Sequence, residues 1–449
     1  MVDPAEGFAR TFTRCIEAAD FAPLADLYAD DVTLEALLPG RRVVAAGPEA
    51  VIDTFTSWWP DPSEIVDVSV ASYAAGLEVR VERADAAIEC ARHQVHHVHL
   101  AGDRIVRQVV VPRRPRAGLA FPPAPEASLL ARASERTPLL HDGVSGSLLE
   151  RIVVDDGRRL VVKHVSRDRD WIMRATDDDG REAMLEDDGT FARLPAGIDT
   201  AIERVERADD GWRIYLRDVS DVLTPAGGRI SREENRRMFE FLAAMHRAFM
   251  GERLEHLATG EAHLTFLTPA TAAKESGCET FLRVIERGAE LLPELVEPDL
   301  IDALYSIIAN PSGLADALRA CGTTLVHGDV RYPNIGLTPG GMVLIDWGLA
   351  TLAPPSVDLA FFLSSGLVGV HMTREQAIDD LREIWGDLID DRSLALALLA
   401  ETCGTIWFEA MRIRDHSDER ERARSADELR WWADRARKAL EHHWSPPTS

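Results

Sequence analysis

Phe8, Phe12, Cys15 and Ile16 recur at intervals of three and four, the spacing of one helix face. Val51, Ile52, Phe55 and Trp59 repeat it behind Gly47-Pro48, a pair suited to a helix start. From Ile65 the pattern changes. IVDVSVASY, LEVRVE from Leu77, AIECARHQVHHVHL from Ala87 and RIVRQVVV from Arg104 read as strands, the last two joined by the turn Ala101-Gly102-Asp103. Helices followed by a curled antiparallel sheet make an α+β plan for residues 1–111. Five prolines between Val111 and Glu126 exclude a helix interior or a central strand, so residues 112–128 read as an extended linker.

Beyond the linker, residues 129–219 are β-rich. LLERIVV follows the small turn Asp142-Gly143-Val144-Ser145-Gly146-Ser147, and Asp156-Gly157 makes a hairpin into RLVVKHV. Arg181-Glu182-Ala183-Met184-Leu185 begins a short helical segment, and Trp212 to Val219 forms another strand. Residues 220–449 turn helical. Ser231-Arg232-Glu233-Glu234 is a capping box opening a helix that buries Met238, Phe241, Leu242, Met245 and Phe249, with His246 packed inside it. Late in the chain, TLVHGDVRYPNIGLTPGGMVLIDWGLA (Thr324 to Ala350) sets two short apolar strands around a polar loop. Trp431-Trp432 marks a packed helix, and SPPTS a frayed end.

Composition narrows the function. With 50 Lys plus Arg against 75 Asp plus Glu, the net charge is -25. That excludes a protein that grips nucleic acid through a surplus of basic surface, and it argues against docking to an anionic membrane. Cys15, Cys90, Cys278, Cys321 and Cys403 are scattered without a CxxC pair, as expected of reduced thiols, and not of a disulfide framework or a zinc site. Met1 to Arg10 has no apolar core of a secretory signal, and no stretch approaches the roughly 18 unbroken apolar residues of a membrane span. A soluble cytoplasmic protein is the expectation. Lysine occurs only as Lys163, Lys274 and Lys438, so the position of each carries information.

One of those lysines lies on the second strand of the hairpin that follows the glycine turn. Backbone N–H groups of such a turn, here Gly143, Ser145, Gly146 and Ser147, can approach phosphates where a Cβ would intrude, and Lys163 adds a point charge. Glu182 is the candidate to hold the Lys163 ammonium, with Glu186 as the competitor one helical turn on. Backbone groups at Arg217 to Val219, including Asp218, are placed to read an adenine edge. The loop after Thr324 holds His327, Asp329 and Asn334, and Asp346 ends the second strand. A carboxylate beside an acceptor hydroxyl orients it and takes its proton. An amide oxygen and a second carboxylate can hold Mg²⁺ against a transferring phosphate.

On these residues the stretch from about 129 to 449 resembles the aminoglycoside phosphotransferase-like branch of the protein-kinase-like superfamily. The matching pieces are the Gly143 to Ser147 loop, Lys163, Glu182, the His327-Gly328-Asp329 to Asn334 loop and Asp346-Trp347-Gly348. The resemblance implies a bilobal fold, with a β-rich lobe at 129–219 and a helical lobe at 220–449. It makes Asp329 the catalytic base, Asn334 and Asp346 the Mg²⁺ ligands, and Lys163 the phosphate anchor. It also implies that His327 braces the loop and that Asp358 ties it down from a helix start. Trp347 stands where protein kinases carry Phe. Arg331 is placed to touch the γ-phosphate or the acceptor. Val357 follows Asp346 by eleven residues, too few for a protein-substrate segment, which favours a small acceptor.

Residues 1–111 resemble the SnoaL-like, nuclear-transport-factor-like superfamily. The likeness rests on an opening helix pair ending Leu27-Tyr28-Ala29-Asp30-Asp31-Val32, the helix start Gly47-Pro48-Glu49-Ala50, and the final hairpin. It implies a cone that binds a ligand, catalyses, or forms a dimer. His93, His97 and His99 share one strand face and His96 the other, either as metal or pocket groups or as a wet sheet face.

The expectation is a kinase moving the γ-phosphate of ATP or GTP to a hydroxyl of an aminoglycoside, amino sugar or other alcohol. The first domain would act as a homodimerisation or sensing module. Asp379, Asp380, Asp387, Asp390 and Asp391 offer either a surface for a cationic acceptor or a solvated helix face. One rival is a nucleotide-binding regulator without turnover, against which the intact Lys163, Asp329, Asn334 and Asp346 count. Another makes the cone an isomerase or cyclase.

Overall fold

The computed structural model describes residues 4–38, 41–59, 65–73, 76–83, 93–101, 104–112, 128–139, 145–224, 230–275, 280–366, 372–415 and 419–444. The chain divides into two compact units between residues 120 and 121, with Ser276–Phe281 counted in the first. Gly143 and the prolines at 115, 122, 123 and 125 lie outside the described residues.

The first unit runs α1 (Pro4–Ala18), β1 (Tyr28–Leu38), β2 (Arg41–Ala46), α2 (Pro48–Trp58), β3 (Ile65–Tyr73), β4 (Gly76–Arg83), β5 (His93–Ala101) and β6 (Arg104–Pro112). Its strands form one sheet in the order β2-β1-β6-β5-β4-β3. The α+β plan holds, with one correction. Tyr28 to Val32, read as the end of a helix pair, opens β1, which pairs parallel to β6. The physical signal was Val32, Leu34 and Ala36, buried at every second position.

Phe12, Phe21, Phe55 and Trp59 fill the interior of this unit. His96 is buried among them, its ring centroid 4.5 Å from that of Phe12. The His96 Nδ1 lies 2.9 Å from Gln108 Nε2, and the Tyr28 hydroxyl donates to Gln108 Oε1 at 2.7 Å. These groups satisfy one another within an aromatic core. The side chains of His93, His97 and His99 lie outside the described residues.

The second unit begins with β7 (Ala133–Pro138), β8 (Leu148–Val154), β9 (Arg159–Val165), α3 (Trp171–Ala175), α4 (Arg181–Asp187), β10 (Ile198–Asp199), β11 (Ile202–Ala208) and β12 (Gly211–Arg217). Five of these strands form an antiparallel sheet, β11-β12-β9-β8-β7. The predicted Asp156-Gly157 hairpin joins β8 to β9, with Gly157 at φ 86°. Ile152, Val154, Leu160 and Val162 pack on one face, and Val165, Ile214 and Leu216 on the other. Alternation places Lys163 on the Val165 face.

The helical lobe opens with α5 (Arg232–Phe249), whose capping box is present: Ser231 Oγ accepts from Glu234 N at 3.1 Å, and Glu234 Oε2 accepts from Ser231 N at 2.8 Å. Met238, Leu242, Met245 and Phe249 are buried as predicted, each contributing about 1.5–3 kcal/mol over an exposed position. Phe241 is only half-buried. Phe239 takes its place, because the contact stripe leans toward 239 and 246. Then follow α6 (Gly260–Thr265), α7 (Pro269–Glu275), α8 (Thr280–Leu291), α9 (Pro298–Ala309) and α10 (Ser312–Arg319).

Next come β13 (Thr324–Val326), β14 (Ile335–Thr338), β15 (Gly341–Leu344) and β16 (Thr351–Ala353), and finally α11 (Ser356–Phe361), α12 (Arg374–Trp385), α13 (Asp391–Asp415) and α14 (Glu419–His442). β14 pairs with β15 and β13 with β16, so the strands on either side of the polar loop belong to different ladders. By length and composition α13 could cross a membrane, but 56% of its apolar window is buried inside the protein, as in a core helix.

Candidate active site

Lys163 projects from β9 between two carboxylates. Its Nζ lies 2.7 Å from Glu182 Oε2 on α4 and 2.6 Å from Asp346 Oδ1. Glu182, and not Glu186, is therefore its partner among the described residues. Burial alone would lower the lysine; Asp346 and Glu182 outweigh it and hold the ammonium charged well above its ordinary range.

Asp346 does not end a strand. β15 stops at Leu344, and Asp346 adopts the left-handed conformation at φ 69° and ψ 63°. Such strain in a non-glycine residue costs about 1–3 kcal/mol and collects at functional sites. Burial raises this carboxyl, but Lys163, followed by Arg331 and His327, brings it below the ordinary aspartate value. Although closely surrounded, its side chain keeps 41% of its surface open. Trp347 anchors the turn: its Nε1 donates to Leu344 O at 2.9 Å, and its ring packs 4.6 Å from that of His327.

The loop after β13 is tied from within. Asn334 Nδ2 donates to Asp329 Oδ2 at 2.8 Å and to Asp329 O at 3.1 Å, which leaves Oδ1 as the acceptor of that amide. Arg331 Nε sits 3.0 Å from Asp329 Oδ1. Burial raises the Asp329 carboxyl, with Asp346 adding and Arg331 and Asn334 opposing. The His327 Nε2–H donates to Ile345 O at 3.0 Å, while Nδ1 accepts from Asp329 N at 3.2 Å. Burial keeps this imidazole neutral, pulled down to about 4.

Asp358, at the start of α11, accepts from His327 N at 3.0 Å and from Gly328 N at 2.8 Å. It is fully buried, and burial drives it up to about 7 against the two N–H groups that favour its anion. His246 Nε2 is 3.6 Å away but neutral, pulled by burial to about 3, so it supplies no counter-charge. A carboxyl raised on folding contributes stability that is intact below about pH 4 and lost as pH rises through about 7. The stability difference between wild type and Asp358→Asn should therefore move against wild type by roughly 2–3 kcal/mol from about pH 5 to pH 8. Melting curves of both proteins across that range measure it, and a flat or opposite trend would contradict the assignment.

Ser145, Ser147, Lys163, Glu182, Asp329 and Asp346 line one cleft. Gly146, at φ 108°, turns the chain between the two serines. Ser147 Oγ donates to Asp170 Oδ2 at 2.8 Å, and Ser145 O accepts from Trp171 N at 3.0 Å, so the turn is pinned to α3. Asp218 and Val219 are not among the residues lining that cleft. The Asp218 carboxylate is held by Arg151 at 2.7 Å, while Val219 O accepts from Val222 N and Leu223 N.

Arg181 was not singled out from the sequence. It is buried beside Glu182, donating to Gly348 O and, at 3.2 Å, to Thr176 O, and so ties α4 to the Asp346-Trp347-Gly348 turn. Only the fold reveals this reach across 167 positions. The acidic run of the C-terminal helices is also resolved. Asp380 is buried, bonded by Arg232 at 2.8 Å and Arg236 at 2.8 Å, and Asp391 by Arg382; Asp390 caps Ser393 N. Asp380 and Asp390 serve the fold, whereas Asp379, Asp387 and Asp391 are exposed.

A model of the phosphotransferase enzyme family matches residues 150–396, more than half of the chain. No curated protein matches it. Among solved structures it is similar to a choline kinase from Streptococcus pneumoniae, with 13% identity, 68% of this chain and 95% of that chain covered, and a TM-score of 0.42. It is also similar to a spectinomycin phosphotransferase in complex with ADP and spectinomycin, with 12% identity, coverage of 69% and 94%, and a TM-score of 0.36. An aminoglycoside 2′-phosphotransferase in its GDP complex has 15% identity, coverage of 67% and 93%, and a TM-score of 0.39.

Proposed function

The chain belongs to the phosphotransferase enzyme family, and from that premise we propose that it moves the γ-phosphate of ATP or GTP to a hydroxyl of a small molecule. The observation that carries this reading is the convergence of Lys163, Glu182, Asp329 and Asp346 on one cleft, with Asn334 bonded to Asp329.

Asp329 is the base. Held by Asn334 and Arg331, and raised toward neutrality by burial, it orients the acceptor hydroxyl and takes its proton as the oxygen attacks phosphorus. Lys163, fixed by Glu182, anchors the donor phosphates. The backbone of Ser145 to Ser147 covers them, and Arg331 stabilises charge on the transferring group or holds the acceptor. The N–H of Val219 has no partner among the described residues and is free to meet a purine edge next to Asp218.

Asn334 Oδ1 and Asp346 suit Mg²⁺, which takes few protein oxygens and leaves its other positions to phosphate and water. Bound there, the ion would neutralise charge on the transferring phosphate. The protein's own share is positioning, and positioning supplies much of the barrier reduction in such reactions. We place the enzyme in the cytoplasm, with the first unit as a dimerisation or ligand-sensing module. A regulator that only binds nucleotide has no use for the carboxylate of Asp329 braced by Asn334 and Arg331.

The test follows γ-labelled ATP and GTP with Mg²⁺ and a pool of hydroxylated metabolites and aminoglycosides, with Asp329→Ala as control. A labelled small molecule formed by wild type alone is the expected result and identifies the acceptor. Nucleotide that fails to bind at all would overturn the reading.

A further inference from the structure

The helical lobe contains a second cleft, walled by α6, α10, β16, α11 and α13. His263, Phe266, Leu318, Phe361, Ala397 and Glu401 are among its walls, which are mostly apolar. Arg319 also reaches the cleft, but it is paired with Asp316 and, at 3.7 Å, with Glu261. His263 is kept neutral by burial, pulled down to about 4. Glu401 is the one carboxylate of this lining.

Glu401 has no basic partner among the described residues. Ser364 Oγ lies 2.5 Å from Oε1, carried there by the irregular turn Phe362–Gly366 that continues α11. Wide turns of this kind inside helices are often found at functional sites. Burial pushes the Glu401 carboxyl up to about 7, with the negative charge of Asp329 acting in the same sense. His263, on the wall of the same cleft, has its Cε1 3.0 Å from where a Cβ on Gly328 would sit, next to Asp329 in the catalytic loop. A carboxylate in apolar surroundings without a counter-ion is costly, and a cationic ligand would remove that cost. The same apolar walls would leave the further ammonium and hydroxyl groups of a polycationic sugar without partners.

We propose that this cleft seats the acceptor and that Glu401 receives its ammonium group, which makes the acceptor a compact amino alcohol with one cationic centre and an apolar body. Phe266, Leu318 and Phe361 cover the body, and the hydroxyl is the group directed to Asp329. The inference rests on the phosphotransferase reading above and adds to it the class of substrate.

The test is calorimetric binding of three probes at about pH 8: 2-amino-1-phenylethanol, its neutral counterpart 1-phenylethane-1,2-diol, and the polycationic kanamycin. Wild type should bind the amino alcohol about tenfold or more tightly than the diol, the size of one charged hydrogen bond. It should bind kanamycin less well than the amino alcohol, and Glu401→Gln should lose the preference for the amine over the diol. Equal binding of amine and diol, a preference that survives Glu401→Gln, or kanamycin as the tightest probe would each overturn the proposal. The wild-type comparison of amine and diol needs no variant, so a poorly folded Gln protein leaves the test intact. Mg-ATP binding measured on the same samples separates the two readings. Nucleotide binding without amine preference sinks this inference alone, whereas amine preference without nucleotide binding sinks the kinase reading.

Discussion

Asp329→Asn is expected to bind Mg-ATP about as well as wild type and to transfer phosphate about 10³-fold more slowly. Both carboxylate oxygens are in use, one 3.0 Å from Arg331 and the other 2.8 Å from Asn334, so the amide keeps one contact and loses the other. That local cost is small beside the loss of a base, which is worth about 10²–10⁴ in rate. Nucleotide affinity should hold, because Lys163 and Glu182 are untouched. Single-turnover transfer together with nucleotide titration separates the two effects. A rate within tenfold of wild type would remove Asp329 from the chemistry, and a parallel loss of nucleotide binding would make its role structural.

Gly328→Ala should lower both stability and turnover. Gly328 has φ 79°, and a Cβ there would meet Leu349 O at 2.4 Å and His263 Cε1 at 3.0 Å. The left-handed backbone costs alanine about 1–2 kcal/mol, and forcing an extra atom into packed surroundings adds about 1–3 kcal/mol. The carbonyl that blocks the Cβ is backbone of the segment after Asp346, so relief would shift one functional segment against the other. The melting temperature of the second unit should fall by roughly 5–10 °C, and turnover should fall with it. Gly157→Ala is the control: its φ is 86°, but nothing lies within 4 Å of the added atom. Equal effects at the two glycines would show that backbone conformation alone, and not the contact with Leu349, sets the cost.

Much of the site could be read along the chain because its parts are close in sequence. Asp329, Asn334 and Asp346 fall within eighteen positions, and their residue types are dictated by proton transfer and cation binding. Lys163 stood out through the scarcity of lysine, and Glu182 as the acidic residue at the start of a short helical segment, with Glu186 as its competitor. The turn at Asp156-Gly157 and the capping box at Ser231 are local devices and were equally legible.

What escaped the sequence depends on tertiary contact. Arg181 looks like any surface arginine until α4 is laid against Gly348. Glu401 lies in an apolar helix where only packing decides whether it meets solvent, a partner or a cleft. β1 was hidden because its exposed residues, Asp30 and Asp31, sit beside a short helical turn and interrupt the reading of its alternation. Phe239 and Phe241 are both apolar, and a small rotation of α5 decides which is covered.

The position of Lys163 has a bearing on covalent labelling. Lys274 and Lys438 are exposed on their helices, whereas Lys163 keeps 14% of its side-chain surface and is held as an ammonium between Glu182 and Asp346. Acylating reagents attack the neutral amine, so in the folded protein they are directed to the two outer lysines. The third side chain becomes reactive only when its carboxylates withdraw. With three lysines in 449 residues, a single modified peptide would report whether the cleft is assembled.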